Sequence, residues 1–248
     1  MFQRDSMPSN WCRDDSLQGF ETAHWHCDER SALLIWSHHY PSLFTNPMME
    51  TNFMTQTTHA LTLNGNLTWI EVEKRIAVET DPVVLENLSL VRDHMKYESV
   101  GNIEGVLRTL CSSPEYRFHL PGFESVHGNG SQESIRKFYD DLLVKGGAYQ
   151  LQFIVDRVTA DRNAVVTEGD FLWAYPGRTL AARGISVDDP DAYYAAHCRQ
   201  LIVWPRHATE PKLTGEEIWV DRDMFLGIAE RKITHFIDAN PGDEWRLK

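Results

Sequence analysis

The sequence predicts an α+β fold in which helices pack on one face of a curved sheet. Two helices, a strand pair and a third helix come first, and four consecutive strand-like segments follow them. Helices and strands that are grouped along the chain, rather than alternating, are typical of α+β folds. Apolar spacing of three to four residues identifies the helices, and alternation of apolar and polar residues identifies the strands.

Three helices are predicted from their capping residues. Asp81-Pro82 is an N-cap followed by proline at the first helical position, and the helix is expected to run to about Val100. Asn102 is expected to cap a short second helix, and Ser131 a third that Gly146-Gly147 ends. The first helix carries an apolar stripe at helical spacing: Val84, Leu88, Val91 and Met95.

The predicted strands lie on both sides of the third helix. "YRFHL" and "FESV" flank Pro121-Gly122 and indicate a bent or hairpin strand pair. The four later strands are expected at 149–159, 164–175, 197–205 and 213–221. Near the start, Asn64-Gly65 between apolar alternations is a strong hairpin signal, and "WIEVEKRIAVE" suits either a strand or a helix.

The chain divides into three predicted regions. Residues 1–60 show no sustained period and are expected to form a poorly ordered N-terminal extension. Residues 61–80 form a hairpin or helical lead-in, and residues 81–240 form the α+β domain. "HWHC" at 24–27 contains metal-ligand residue types, but no second pair follows at zinc spacing, so no metal site is predicted.

Composition restricts the classes of partner. A formal net charge of −12 disfavours nucleic acid, which requires clustered Lys and Arg. No apolar run approaches the roughly 20 residues of a membrane span, and the first residues lack the apolar core of a secretion signal. Scattered cysteines without CxxC spacing favour free thiols. We therefore expect a cytoplasmic protein that binds neither nucleic acid nor membrane.

Two acids stand in the middle of the strand "AVVTEGDFLWAY". Glu168 and Asp170 are two residues apart and therefore share one face of that strand. Their Cα atoms are expected about 7 Å apart, from a rise of ~3.3 Å per residue, so that one small substrate could touch both. The pair belongs either to a pocket, as a catalytic acid and base, or to a solvated strand face.

Three basic side chains are candidates for assisting these acids. His119 in "YRFHL" is either a proton shuttle or a histidine bonded at a sheet edge. His197 and Arg199 share a face of "HCRQLIVW" and are candidates for binding an anionic group of a substrate. The alternative for this second pair is cross-strand pairing with the acids of the neighbouring strand.

Two aromatic residues complete the candidate substrate-binding set. Tyr139 lies on the apolar stripe of the third helix, where it either packs in the core or orients a ligand through its hydroxyl. Trp219 shares a face of the last strand with Glu217 and Asp221, and its role is either binding or structural.

Four stretches, in this order along the chain, resemble the SnoaL-like family of the nuclear transport factor two-like superfamily. They are "VRDHMKYESVGNIEGVLRTL", "GNGSQESIRKFYDDLL", "VTADRNAVVTEGDF" and "LTGEEIWVD". The resemblance covers about residues 81–238. It implies a cone-shaped, curved antiparallel sheet wrapped around a long helix, and a homodimer is expected because dimers are frequent in this family.

The resemblance also implies a range of activities. Enzymes of this family include cyclases, isomerases, dehydratases and epoxide hydrolases, which work through acids in an apolar cone and generally need neither metal nor organic cofactor. The expected function is therefore cofactor-free acid–base chemistry on a small apolar molecule, with Glu168, Asp170 and His119 as catalytic residues. The insertion at 176–197 is expected to act as a lid. A non-catalytic binding or dimerisation module is the alternative, because one fold supports both.

Overall fold

The computed structural model describes residues 61–120 and 130–246, and the backbone of residues 123–127. All of these residues belong to one compact unit. The predicted N-terminal extension and its histidines and cysteines lie outside the described residues.

Five α-helices are present in the described part of the chain. They are α1 (Ile70–Ile76), α2 (Pro82–Ser99), α3 (Ile103–Thr109), α4 (Gln132–Tyr139) and α5 (Gly177–Ala182). The Asp81 carboxylate accepts from the amide of Val83 at 2.9 Å, and the Asn102 side chain accepts from the amide of Gly105. The Ser131 side chain accepts from the amide of Ser134, so all three predicted N-caps are confirmed. Helix α4 continues as a π-helical turn, Asp140–Lys145.

Eight strands of the described residues form one sheet. They are β1 (Leu61–Asn64), β2 (Leu110–Leu120), β3 (Phe123–His127), β4 (Leu151–Ala160), β5 (Ala164–Pro176), β6 (Tyr193–Pro205), β7 (Leu213–Val220) and β8 (Lys232–Ile237). Strand β6 organises the sheet, because β5 pairs along its whole length, while on its other edge β8 pairs with its first two residues and β7 with residues 200–203. Strands β2 and β3 extend the sheet beyond β7, and β4 extends it beyond β5.

Helix α2 supplies one side of the main hydrophobic core. Its predicted stripe is confirmed, since Val84, Leu88, Val91 and Met95 are all buried. Each such side chain contributes roughly 1.5–3 kcal/mol when it is removed from water. Inward-facing residues of the strands complete the same core, so that the sheet and the helices enclose one apolar interior. The predicted α+β class with a curved sheet is confirmed.

Three local expectations differ from the structure. Asn64-Gly65 does not turn a hairpin, because the Asn64 side chain accepts from the amide of Asn66 and starts a short 3₁₀ helix. Strand β1 instead pairs with β8 in parallel, and β2 pairs with β7 in parallel, so the sheet is mixed rather than purely antiparallel. In the insertion, Asp189-Pro190 has the sequence pattern of a second helix start, but the helix begins at Gly177 and Asp189-Pro190 lies in a turn.

The longest described helix, α2, has 18 residues and carries several charged side chains along its length. None of the described helices has the length and the apolar character that crossing a membrane requires.

Candidate functional site

Glu168 and Asp170 lie on the outer face of the sheet. Along β5 the buried positions are Val165, Thr167, Gly169 and Phe171, and the two acids alternate with them at intermediate exposure. The expectation that both acids point into a cavity is therefore not met. The geometry agrees with the alternative, a solvated strand face, and it leaves their catalytic role a prediction.

Arg199 holds the acids of this outer face together. Its guanidinium is 2.9 Å from the Glu168 carboxylate, 2.8 Å from that of Asp156 and 3.9 Å from that of Asp170. His197, on the same face of β6, lies 3.8 Å from the Asp170 carboxylate. These are the cross-strand ion pairs that adjacent antiparallel strands form, and they place His197 and Arg199 outside the interior.

His119 and Trp219 form a second outer cluster. Their rings stack at 4.4 Å between centroids with an interplanar angle of 9°. The His119 imidazole also bonds to the Glu217 carboxylate at 3.0 Å. Strands β2 and β7 bring them together, because His119 and Trp219 are paired in the parallel register. This cluster is on the opposite side of the sheet from Tyr116 and Ile218, which are buried.

Tyr139 is the one predicted binding residue that faces the interior. It lines a cavity between α2, α4 and the inner face of the sheet. The centre of a water-sized sphere can occupy about 50 Å³ of this cavity. Since one water needs roughly 10–15 Å³ on this measure, there is room for a few waters or a compact organic molecule.

The cavity has a polar inner end and an aromatic outer end. Glu98, Tyr116, Tyr139 and Glu216 supply polar atoms to its wall, and Gln200 adds a neutral amide. Half-buried side chains line the opposite end and form its mouth: Phe118, Phe138, Leu142 and Trp173.

His94 lies behind this polar end and is completely buried. The Thr109 hydroxyl donates its single proton to the carbonyl of Val106 at 2.6 Å. The same oxygen is 2.7 Å from Nδ1 of His94, so the Thr109 hydroxyl and this ring nitrogen share a hydrogen bond. The other ring nitrogen, Nε2, points toward Glu216.

Nε2 of His94 is 2.9 Å from a carboxylate oxygen of Glu216. A bare imidazole lone pair and an ionised carboxylate repel each other at this distance, so one proton must lie between them. His94 and Glu216 are therefore joined by one hydrogen bond at the cavity wall.

Glu98 is a second carboxyl at the same end of the cavity. It follows His94 by four residues on α2, which places both side chains on one helix face. Burial raises the pKa of Glu98 well above its usual range, the charge of Glu216 raises it further, and a hydrogen bond with Tyr139 lowers it. Glu98 therefore keeps its proton to a higher pH than an exposed glutamate does.

Two tyrosine hydroxyls connect these acids. The hydroxyls of Tyr116 and Tyr139 are 3.1 Å apart, and that of Tyr116 is 3.2 Å from Nε2 of His94. Tyr139 donates to the Glu216 carboxylate at 3.4 Å. Burial raises the pKa of both phenols well above their usual range, with a further contribution from the neighbouring carboxyls. Both tyrosines are therefore hydrogen-bond donors at neutral pH.

Sequence reasoning missed most of this interior cluster, although two signals point to it. His94 and Glu98 continue the buried stripe of α2, three and seven residues after Val91. Glu216 shares its strand face with Ile218, whereas the residues singled out in the sequence, Glu217 and Trp219, lie on the opposite face. A titratable residue at an apolar position of an amphipathic element is the common signal.

The insertion between β5 and β6 packs onto the domain. Leu180 is completely buried, and the Thr179 hydroxyl donates to the carbonyl of Gly146 at 3.1 Å. The amide of Gly177 donates to the carbonyl of Ala192 at 2.7 Å, which closes the base of the segment. Its function as a lid stays a prediction.

Several solved structures are similar in fold to this chain. A candidate SnoaL-like polyketide cyclase from Shewanella putrefaciens CN-32 has 10% sequence identity and a TM-score of 0.46, over 60% of this chain and 87% of that one. An epoxide hydrolase of M. tuberculosis, described as LEH-like, has 16% identity and a TM-score of 0.43, over 59% and 92% of the two chains. An NTF2-like protein from Anabaena variabilis has 14% identity and a TM-score of 0.41, over 59% and 96%.

These names include the family that the sequence resembles. No protein-family model matches the sequence, and no curated protein matches it. Similarities of this degree carry no argument about activity, which depends on the cavity residues themselves.

Proposed function

We propose that this protein carries out cofactor-independent acid–base chemistry on a small, largely apolar molecule held in the cavity. One observation carries the proposal: four titratable side chains line one end of a largely apolar cavity, namely Glu98, Tyr116, Tyr139 and Glu216. Desolvated carboxyls with different surroundings are the arrangement that separates an acid from a base. Isomerisation, cyclisation, elimination and epoxide hydration all use such a pair.

Glu216 is the proposed base. It lines the cavity, and His94 behind it supplies a charge partner for its carboxylate. When Glu216 takes a proton from a substrate, the proton already present in the pair stays on the imidazole. His94 does not line the cavity and therefore acts through Glu216, as a positioning residue.

Glu98 and the two tyrosines are the proposed donors. Because burial favours the protonated form of Glu98, this carboxyl is available as an acid where Glu216 acts as a base. The hydroxyls of Tyr116 and Tyr139 are directed to the same place and would stabilise an oxyanion that develops on the substrate. We propose this inner set in place of Glu168, Asp170 and His119, which lie on the outer face.

Exchange of the methyl protons of acetone for deuterium in D₂O tests this proposal. Acetone is compact enough for the cavity, and exchange requires only a base at carbon and a donor at the carbonyl oxygen. We expect the protein to accelerate exchange at least about 100-fold over an equal concentration of acetate, as general acid–base catalysis does. Proton NMR follows the reaction directly.

Two matched tryptophan variants locate the reaction. Leu142→Trp fills the mouth of the cavity and should abolish the acceleration, whereas Val144→Trp, two residues away at an exposed position, should preserve it. Both variants must keep the wild-type thermal midpoint within a few degrees. Exchange that survives Leu142→Trp would place the chemistry elsewhere. No acceleration in the wild type would favour the non-catalytic binding module.

A further inference from the structure

The charges on the cavity wall have one sign. Glu98 and Glu216 contribute carboxyls, and among the described residues that line the cavity there is no lysine or arginine. The basic group nearest to the acids is His94, which lies behind the wall and is engaged by Glu216 and Thr109. A ligand with a carboxylate or phosphate would therefore bring a negative charge toward two acids without any cation to receive it.

Aromatic rings make up much of the remaining wall. Phe118, Phe138 and Trp173 surround the mouth, and Phe153, Phe171 and Trp204 line the interior. The face of an aromatic ring carries negative electrostatic potential and attracts cations, most strongly where water is excluded. The rings and the carboxyls therefore favour the same kind of guest.

The two acids also interact unfavourably with each other. The charge of Glu216 disfavours ionisation of Glu98, in addition to the effect of burial. A positive charge placed between them would relieve this repulsion. Because a cation accepts no hydrogen bonds, the two tyrosine hydroxyls would keep their present partners. The lining residues therefore favour a positively charged guest.

We propose that the ligand of this cavity is a small organic cation, a protonated amine with a compact apolar body. This inference rests on the proposed function and names the substrate class of the same site. The ammonium group lies between Glu98 and Glu216, and the apolar body contacts the aromatic rings toward the mouth. The volume of about 50 Å³ open to water centres restricts the body to a few carbon atoms.

The ion pair of the ligand is with Glu216. The other titratable groups near the two acids come from α2, β2 and α4, and they are His94, Tyr116 and Tyr139. The lining residues of β4, β5 and β6 are apolar or neutral. Glu98 keeps its proton, as the proposed acid must, and accepts a hydrogen bond from the ammonium through its carbonyl oxygen.

Three molecules with the same tert-butyl body test the inference: tert-butylammonium, tert-butanol and pivalate. They differ only in carrying a positive, neutral or negative head group. Binding is measured through the fluorescence of the cavity tryptophans and confirmed by ligand-observed NMR. We expect the ammonium to bind at least tenfold more tightly than the alcohol, and pivalate not to bind.

Variants connect this selectivity to the acids. Glu216→Gln should reduce ammonium affinity at least tenfold and leave that of tert-butanol unchanged, whereas Glu217→Gln, next in the chain on the outer face, should alter neither. Equal binding of the alcohol, binding of pivalate, or binding of none of the three would overturn the inference.

Acetone exchange separates this inference from the proposed function. Exchange without selective amine binding would contradict only the inference that the ligand is a cation. Selective amine binding without exchange would contradict the proposed catalysis and leave a cation-binding module. If both proposals hold, tert-butylammonium should inhibit exchange competitively.

Discussion

Replacing His94 by leucine should lower the free energy of unfolding by about 3–5 kcal/mol at neutral pH, the range found when one partner of a buried ion pair is removed. His94 is completely buried and is the charge partner of Glu216 at 2.9 Å. Leucine keeps the approximate volume but leaves the Glu216 carboxyl and the Thr109 hydroxyl without their shared partner. Urea unfolding followed by circular dichroism measures the loss.

A double variant shows whether the orphaned carboxylate is the cause. His94→Leu/Glu216→Met removes both members of the pair, and exchanging a buried pair for apolar residues is often close to neutral. It should therefore be more stable than His94→Leu alone. The control His119→Leu, on the outer face, should cost less than about 1 kcal/mol. The assigned pairing would be contradicted if the double variant lost as much free energy of unfolding as His94→Leu and Glu216→Met lose together.

Gly169→Ala should destabilise the protein by about 2–4 kcal/mol, at or slightly above the usual cost of overpacking. A Cβ at this position would lie 2.1 Å from the carbonyl oxygen of Ile154 and 2.8 Å from the Cα of Val155. Both contacts are with the backbone of β4, at the bulge where its register with β5 shifts, so no side chain can move aside. Thermal and urea unfolding of the purified variant measure the effect.

Gly184→Ala is the matched control for this substitution. A Cβ there would meet nothing within 4 Å, but the residue has a φ of +80°. It should cost about 1–2 kcal/mol through backbone conformation alone. If Gly169→Ala were no more destabilising than this control, the close approach of β4 to Gly169 would be wrong.

Local signals predicted the helical half of the fold well. The Asp81 cap, the stripe from Val84 to Met95 and the Asn102 cap all depend on neighbours within four residues, which a single sequence displays. Strand β8 was missed because it is short and pairs with β1, more than 150 residues earlier in the chain. The parallel pairing of β2 with β7 is likewise a tertiary feature that local patterns do not encode.

The two faces of β5 show why the sequence alone did not decide which of its polar residues face the interior. Both faces carry polar residues, and alternation alone does not distinguish them. The inner Thr167 hydroxyl accepts a hydrogen bond from the indole of Trp204 at 2.9 Å, whereas the outer Glu168 forms an ion pair with Arg199. Those partners lie on another strand, so only the register between β5 and β6 decides which polar residue faces inward.

The most direct test of the central claim compares an inner and an outer pair of acids in acetone exchange. Glu98→Gln/Glu216→Gln removes both carboxyls that line the cavity, and Glu168→Gln/Asp170→Asn removes both outer ones. The cavity account predicts that the inner variant loses the whole acceleration, roughly 100-fold, while the outer variant keeps the wild-type rate. Loss of exchange in the outer variant, with the wild-type rate in the inner one, would contradict it.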